Sequence, residues 1–429
     1  MHLKHNSIVI QQGNNRKKLS VKYSDINILK YLLTERILTE KQLFQYYSVI
    51  HHVKISYPGF WKKLSKFEEY GLIKSYKYKI GQNGTTIKYF RLKEKGYNLI
   101  KKIDHVPKHY ESEDITDIPK NNLDHHFGTK EVILKSLIAF KEKNITGFRV
   151  FPSKNTRVYP EVIPDGVMQL EDKNIYIEFD SGSESLKELK NKIIRYLTKA
   201  DHHLQIRKEA VLIVLLDNSI PNRKGVDDRT NRIRNLMKVL SSVPEILSKN
   251  VPIYILPLSL VQKAALCFLG EKTEVITRSI ICLSDLLIKS KRHQWWDCED
   301  GIEIFNSYCL NYSIDPHLID VHEVNQERSF FTLFHYKEIG NIRDYEQIVQ
   351  LSKVPCMKPG YTAEFLYVIY DDEETMNEDI KITGALDKVR YITAEISEDY
   401  TNKPYIYVKN SKYTVKKVYD HKMWPSLLF

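Results

Sequence analysis

The order of segments between residues 124 and 258 limits the fold of this chain more than any other feature of its sequence. A helical pattern over 125–143 precedes three short runs rich in β-branched and aromatic residues, TGFRVFP, IPDGVMQL and NIYIEFD. A helix, a strand, a second helix and a further strand complete the block. This order predicts a restriction-endonuclease-like α/β domain over residues 124–265.

Acidic side chains lie at the ends of two of these predicted strands. Asp165 directly follows Pro164, while Glu178 and Asp180 close the next run on one face, because strand side chains alternate. In the nuclease-like fold, Pro-Asp on one strand and Glu-x-Lys on the next hold a divalent ion beside a phosphate. The sequence therefore predicts Asp165, Glu178 and Asp180 as ligands of Mg²⁺ or Mn²⁺. The alternative is that they are turn and edge residues of an ordinary sheet.

The predicted catalytic set departs from that pattern at one position. Asp180 stands where the lysine is expected, and the nearest substitute is Lys192 on the following helix. Lys192 lies at the margin of that helix's apolar stripe, from which it could reach the carboxylates. Asp165, Glu178, Asp180 and Lys192 are therefore the predicted catalytic residues, with Glu131 as a further acidic ligand.

Histidine and cysteine add weaker signals. Two His-His pairs, 125–126 and 202–203, stand at predicted helix edges, where such residues are more often solvated or capping than ligating. Five cysteines occur without any CxxC pair, which favours reduced thiols over a zinc site or a disulfide framework.

Positive charge is concentrated at the start of the chain. Residues 1–103 contain 21 Lys and Arg against 6 Asp and Glu, a local net charge of +15. The whole chain carries +11, so the remaining residues sum to −4. A basic module joined to a nearly neutral body is typical of a protein that binds a polyanion.

The same 103 residues show the element order of a winged helix-turn-helix. Helical patterns begin at Tyr23, with Ser24 or Asp25 as the expected cap, at Thr39 with a capping box to Gln42, and at Tyr57. Two extended runs joined by GQNG follow. The third helix is expected to enter the major groove of double-stranded DNA while the hairpin reaches phosphates. The predicted DNA-binding residues are Lys62, Lys63, Lys66, Lys77, Lys79 and Lys88. The alternative is a winged helix used for protein contact, with its lysines solvated.

The rest of the chain completes a multi-domain α/β protein. The predicted division is a basic winged helix at 1–103, a linker at 104–123, the nuclease-like core at 124–265 and a C-terminal α/β domain at 266–429. The role of that last domain is not readable from its residues, and a homodimer is one hypothesis for it. No run approaches the roughly 18 apolar residues that span a bilayer, so a cytoplasmic protein without membrane contact is expected.

The winged helix, the linker and the run "PDGVMQL…IYIEFDSGSESLKELKNKIIRYL" together resemble the replication-relaxation family of plasmids, integrative elements and phages. The family's signature positions match Asp165, Glu178, Asp180, Gly182, Glu184, Lys192 and Tyr196 here. The resemblance implies a role on DNA in replication or relaxation of a mobile element. It supports association with DNA more than it supports catalysis.

Two functions follow from these patterns. The first is a mobile-element protein that nicks or cleaves DNA with a divalent metal. The second is a non-catalytic DNA-binding replication or transfer factor, or a transcriptional regulator, that retains a degenerate nuclease fold. Asp180 in the lysine position favours the second, and Lys192 favours the first.

Overall fold

The computed structural model describes residues 7–11, 18–79, 86–103, 123–152, 162–170, 173–182, 184–203, 208–217, 230–248, 251–267, 294–295, 318–324, 328–353, 361–393 and 405–419. The described chain is a mixed α/β protein that forms two compact units. The first unit draws on 1–185, 213–229 and 257–265, and the second on 186–212, 230–256 and 266–429.

The first unit begins with the basic part of the chain. Its elements are β1 (Ser7–Gln11), β2 (Lys18–Lys22), α1 (Tyr23–Glu35), β3 (Ile37–Thr39), α2 (Glu40–Gln45), α3 (Tyr57–Glu69), β4 (Ile73–Lys79), β5 (Thr86–Leu92) and α4 (Glu94–Ile103). A π-helical turn, Tyr46–Ile50, extends α2. β1 and β2 form an antiparallel pair, and β3, β5 and β4 form an antiparallel sheet in that order. Apolar residues of α1, α3 and the sheet pack into one core.

The predicted start of α2 is confirmed, whereas the predicted cap of α1 is wrong. The Thr39 hydroxyl accepts from the Gln42 N–H at 3.2 Å, and the Gln42 side chain accepts from the Thr39 N–H at 3.1 Å. The N-cap of α1 is Lys22 rather than Ser24 or Asp25. Asp25 lies inside the first turn, where its carboxylate accepts from the Lys22 N–H at 2.8 Å. The predicted GQNG turn lies outside the described residues.

A long helix and a small sheet complete the first unit. They comprise α5 (Leu123–Glu142), β6 (Phe148–Pro152), β7 (Gly166–Leu170) and β8 (Lys173–Asp180). β7 pairs antiparallel with both β6 and β8. The five apolar positions that predicted the broad face of α5 are all buried: Val132, Leu134, Leu137, Ile138 and Phe140.

α5 lies directly on β8 because Gly128 leaves room for an aromatic ring. The ring of Phe179, which is buried, occupies the space where a side chain at position 128 would begin. A Cβ added to Gly128 would be 2.0 Å from the Phe179 Cζ atom. Any larger residue at position 128 would therefore separate the helix from the strand that carries Glu178 and Asp180.

α5 also packs against the basic part of the chain. Lys130 and Glu35 form a buried ion pair, with side-chain exposures of 8% and 1%. The Gln42 amide donates to the Phe127 carbonyl at 2.9 Å and to the Glu131 carboxylate at 3.0 Å. These contacts make α1, α2 and α5 parts of one compact unit.

The second unit contains a seven-stranded sheet whose strands are ordered as in the chain. Its strands are β11 (Gln294–Trp295), β12 (Leu318–Val324), β13 (Arg328–Tyr336), β14 (Tyr361–Tyr370), β15 (Val389–Thr393), β16 (Tyr405–Ser411) and β17 (Thr414–Tyr419). β13, β14 and β15 are parallel, with intervening helices at Ile342–Leu351 and Glu373–Thr383. Strands and helices therefore alternate in this part of the chain, and its last hairpin turns at Lys412–Tyr413.

Further helices and strands follow β8 in the predicted order. They are a helix at Leu186–His203, strand β9 (Lys208–Leu215), a helix at Thr230–Leu240, a short helix at Glu245–Ser248, strand β10 (Ile253–Pro257), a 3₁₀ turn at Leu258–Leu260 and a short helix at Val261–Ala264. The division into four parts at 103, 123 and 265 stays a prediction. Within the described residues, no helix is both long and apolar enough to cross a membrane.

Candidate nucleic-acid interface

The β4–β5 hairpin has two chemically different faces. Lys77 is paired with Lys88 and Lys79 with Thr86, so these side chains lie on one side of the hairpin. Ser75 lies on the same side and donates to the Glu68 carboxylate of α3 at 2.6 Å. The lysine-bearing side is therefore the one that adjoins α3.

The side chains of Tyr76 and Tyr78 lie on the opposite side of the hairpin, because strand side chains alternate. Tyr89 and Phe127 have ring centroids 5.5 Å apart, and Tyr78 and Phe127 have centroids 6.0 Å apart. Tyr76 stacks on Tyr89 at 5.4 Å. The alternation of aromatic and basic residues therefore separates packing against α5 from the lysines on the α3 side, as strand geometry requires.

Helix α3 adds exposed lysines of its own. Phe60, Leu64 and Phe67 are buried, as their spacing predicts, while Lys62 and Lys66 are exposed. We use "basic face" for the exposed or half-exposed lysines of α3 and the hairpin. Its members are Lys62, Lys66, Lys77, Lys79 and Lys88.

Lys63 differs from the other predicted DNA-binding lysines. Its ammonium nitrogen lies 2.7 Å from the carboxylate of Asp25, a residue that is 1% exposed. The Tyr47 hydroxyl donates to the same carboxylate at 2.8 Å. Since Lys63 is the charge partner of a buried aspartate, its substitution would also affect packing between α1 and α3.

Lys88 lies between α3 and the hairpin. Its ammonium nitrogen is 3.8 Å from the Glu68 carboxylate and 5.5 Å from the centre of the Trp61 ring. The pKa of Glu68 is lowered: burial alone would raise it, but hydrogen bonds from Ser75 and the charge of Lys88 outweigh burial. Glu68 is therefore a fixed negative charge at the inner edge of the basic face.

On the other side of α5, Asp165 links two strands and a helix. Its carboxylate accepts from the Phe179 N–H at 2.8 Å, and its own N–H donates to the Ile177 carbonyl at 2.9 Å. The second carboxylate oxygen lies 2.7 Å from Nε2 of His125 on α5. Asp165 therefore extends the β7–β8 pairing and joins it to the first turn of α5.

Asp180 closes the turn that follows β8. Its carboxylate accepts from the Gly182 N–H at 2.7 Å, and its carbonyl accepts from the Leu216 N–H at 3.0 Å. Gly182 has φ of +92°, a conformation that favours glycine. The aspartate that replaces the expected lysine thus has a structural task that lysine could not perform, because lysine has no acceptor.

Glu178 and Asp180 are both buried, at 2% and 4% exposure. Among the residues that the structure describes, no group of three or more His, Cys, Asp or Glu side chains is placed to hold a metal ion. The assignment of Asp165, Glu178 and Asp180 as metal ligands stays a prediction. Lys192 is half-buried in the helix after β8. The Glu131 carboxylate on α5 accepts from the Gln42 amide, and the pKa of Glu131 is raised because burial outweighs this hydrogen bond.

The histidine pairs have unequal positions. His125 contacts Asp165, an interaction that its place at a helix edge did not predict. Burial, followed by the nearby charge of Lys130, lowers the pKa of His126 to about 4, so this imidazole is neutral at pH 7. His202 and His203 fall in the last turn of their helix, and their side chains lie outside the described residues. Cys267 is half-buried, and the other four cysteines lie outside the described part of the chain.

Sequence reasoning missed two residues beside the basic face. Trp61 is 45% exposed on α3 and adjoins Lys88. Its position one residue after buried Phe60 was a usable signal, because that offset turns a side chain about 100° away from the core. Asp25, the partner of Lys63, gave no comparable signal, since an acidic residue at a helix start is ordinary.

Comparison with known proteins gives one match. A model of the replication-relaxation family matches residues 29–215, a span that includes α3, the hairpin, α5 and the carboxylate-bearing strands. No curated protein and no solved structure matches the chain.

Proposed function

Because residues 29–215 belong to the replication-relaxation family, we propose that this protein binds double-stranded DNA during the replication of a mobile element. The N-terminal residues act as a winged helix, in which α3 is the recognition helix and β4–β5 is the wing. The observation that carries the proposal is the basic face, which combines exposed lysines of α3 with the lysines on the side of the hairpin that adjoins α3.

The chemistry of the basic face matches a phosphate backbone. Lysine is a flexible point charge suited to phosphate contact, whereas the bidentate readout of bases is typical of arginine, asparagine and glutamine. The basic face is composed of lysines, so it supports positioning on DNA and no sequence preference is assigned. The tyrosine side packs against α5 through Tyr78 and Tyr89, whereas the lysine side carries exposed Lys77 and Lys79.

Binding through phosphates predicts a strong dependence on salt. We expect the logarithm of the association constant for a short duplex to fall linearly with the logarithm of the salt concentration. The slope should be about −3 to −5, since each lysine–phosphate contact contributes about −0.9. Fluorescence anisotropy of a labelled duplex measures it, and an affinity that does not change with salt would contradict phosphate contact.

The second candidate function is metal-dependent nicking of DNA. It is favoured by the burial of Glu178 and Asp180 on a strand next to Asp165, because buried carboxylates are costly and cluster at functional sites. The structural tasks of Asp165 and Asp180 support the non-catalytic function instead.

A plasmid assay separates these two functions. We expect the wild-type protein to leave supercoiled plasmid intact in the presence of Mg²⁺ or Mn²⁺, because Asp165 and Asp180 are engaged in backbone hydrogen bonds. The comparison is with an Asp165→Ala/Glu178→Ala variant and with a chelated reaction, resolved by gel electrophoresis. Nicking by the wild type that both the variant and the chelator abolish would overturn the non-catalytic proposal.

A further inference from the structure

Trp61 presents an indole ring to solvent at the basic face. The residue is 45% exposed, and Tyr57, one helical turn earlier, is 40% exposed. Tyr57 is held by α2, since its ring meets the edge of Phe44 at 5.1 Å and its hydroxyl bonds to Glu40. Within the described residues, the one aromatic or cation–π contact of the Trp61 ring is with the Lys88 ammonium.

The position of Trp61 is not explained by the packing of α3. The helix is anchored through Phe60, Leu64 and Phe67, which are each 0–1% exposed. A single exposed apolar residue is ordinary on a protein surface. Trp61, however, directly precedes exposed Lys62 on α3, and the Lys88 ammonium lies 5.5 Å from the centre of its ring.

We propose that Trp61 stacks on an unpaired base, so that the basic face takes DNA containing unpaired bases next to duplex. This inference rests on the proposed binding of DNA by the same surface. Bases inside a duplex are already stacked on both faces and offer no ring to an approaching indole. An unpaired base offers its face, while lysines on either side of Trp61 hold the adjoining phosphates.

Two substitutions at Trp61 test the inference. Trp61→Ala should weaken binding to a duplex with a central unpaired tract by about 5- to 150-fold, the usual range for removing one base-stacking aromatic. Binding to the fully paired duplex should change less than about twofold, and the salt slope should not change, because no phosphate contact is lost. Trp61→Phe should retain most of the preference for unpaired bases.

The matched control is Tyr23→Ala, which removes an aromatic residue that is 60% exposed on α1, outside α3 and the hairpin. We expect it to leave binding to both DNAs unchanged. Equal losses on paired and unpaired DNA for Trp61→Ala, or no loss on either, would overturn the stacking role. Neither result would touch the proposed function, which fails only if the wild type shows no salt-dependent binding to duplex.

Discussion

Replacing Lys62, Lys66, Lys77 and Lys79 together with alanine is expected to lower affinity for duplex DNA by about 10²- to 10³-fold at 0.1 M salt. All four side chains are exposed members of the basic face. Each lost phosphate contact removes about 0.9 from the slope of log affinity against log salt, so the slope should become shallower by about 3 to 4. Lys63 and Lys88 are left intact, because Lys63 supports buried Asp25 and Lys88 contacts Glu68.

The control removes the same charge elsewhere. Lys238, Lys263, Lys412 and Lys416 are exposed and lie outside the basic face. Their combined alanine variant should reduce affinity by less than about tenfold through net charge alone. If the two quadruple variants bind DNA equally weakly across a salt titration, the lysines of α3 and the hairpin have no specific role.

Sequence periodicity predicted most of this fold because its elements are amphipathic. Helix α5 and the strands around Asp165 and Glu178 have apolar residues at the spacing that their burial requires. Strands β1 and β3 were missed because they are only five and three residues long, so alternation along them is a weak signal. In addition, β3 obtains its partner, β5, from a distant segment of the chain. The π-helical turn after α2 has no sequence signature either.

Pattern alone found the candidate residues but not their partners. Lys77, Lys79 and Lys88 lie on one side of the hairpin, because strand side chains alternate and register in a hairpin follows from local geometry. The contact of Asp165 with His125 joins residues 40 positions apart and depends on how α5 lies over the sheet. The position of Asp180 at the end of a strand predicted a metal ligand. The same position also allows its carboxylate to accept a hydrogen bond from the Gly182 N–H in the turn that follows.

Breaking the ion pair between Glu35 and Lys130 is expected to destabilise the first unit by about 3–5 kcal/mol. Both side chains are buried, so Lys130→Met leaves the Glu35 carboxylate in the interior without its counter-charge. Replacing both partners, with Glu35→Leu and Lys130→Met, should return stability to within about 1 kcal/mol of the wild type or raise it. Hydrogen exchange of peptides from α1 and α5 measures the effect in the unit concerned.

An exposed ion pair serves as the control, because its loss removes the same charge without leaving a buried partner. Lys381 and Glu378 are one helical turn apart, with side-chain exposures of 59% and 36%, so Lys381→Met should cost less than about 1 kcal/mol. A similarly small cost for Lys130→Met would mean that water reaches the Glu35 carboxylate and that α1 and α5 separate readily. A large cost that the double substitution relieves would mean that α1 and α5 move as one body. Under that result, DNA bound at the basic face as proposed would keep a fixed position relative to Asp165 and β8, because α5 packs against both the hairpin and β8.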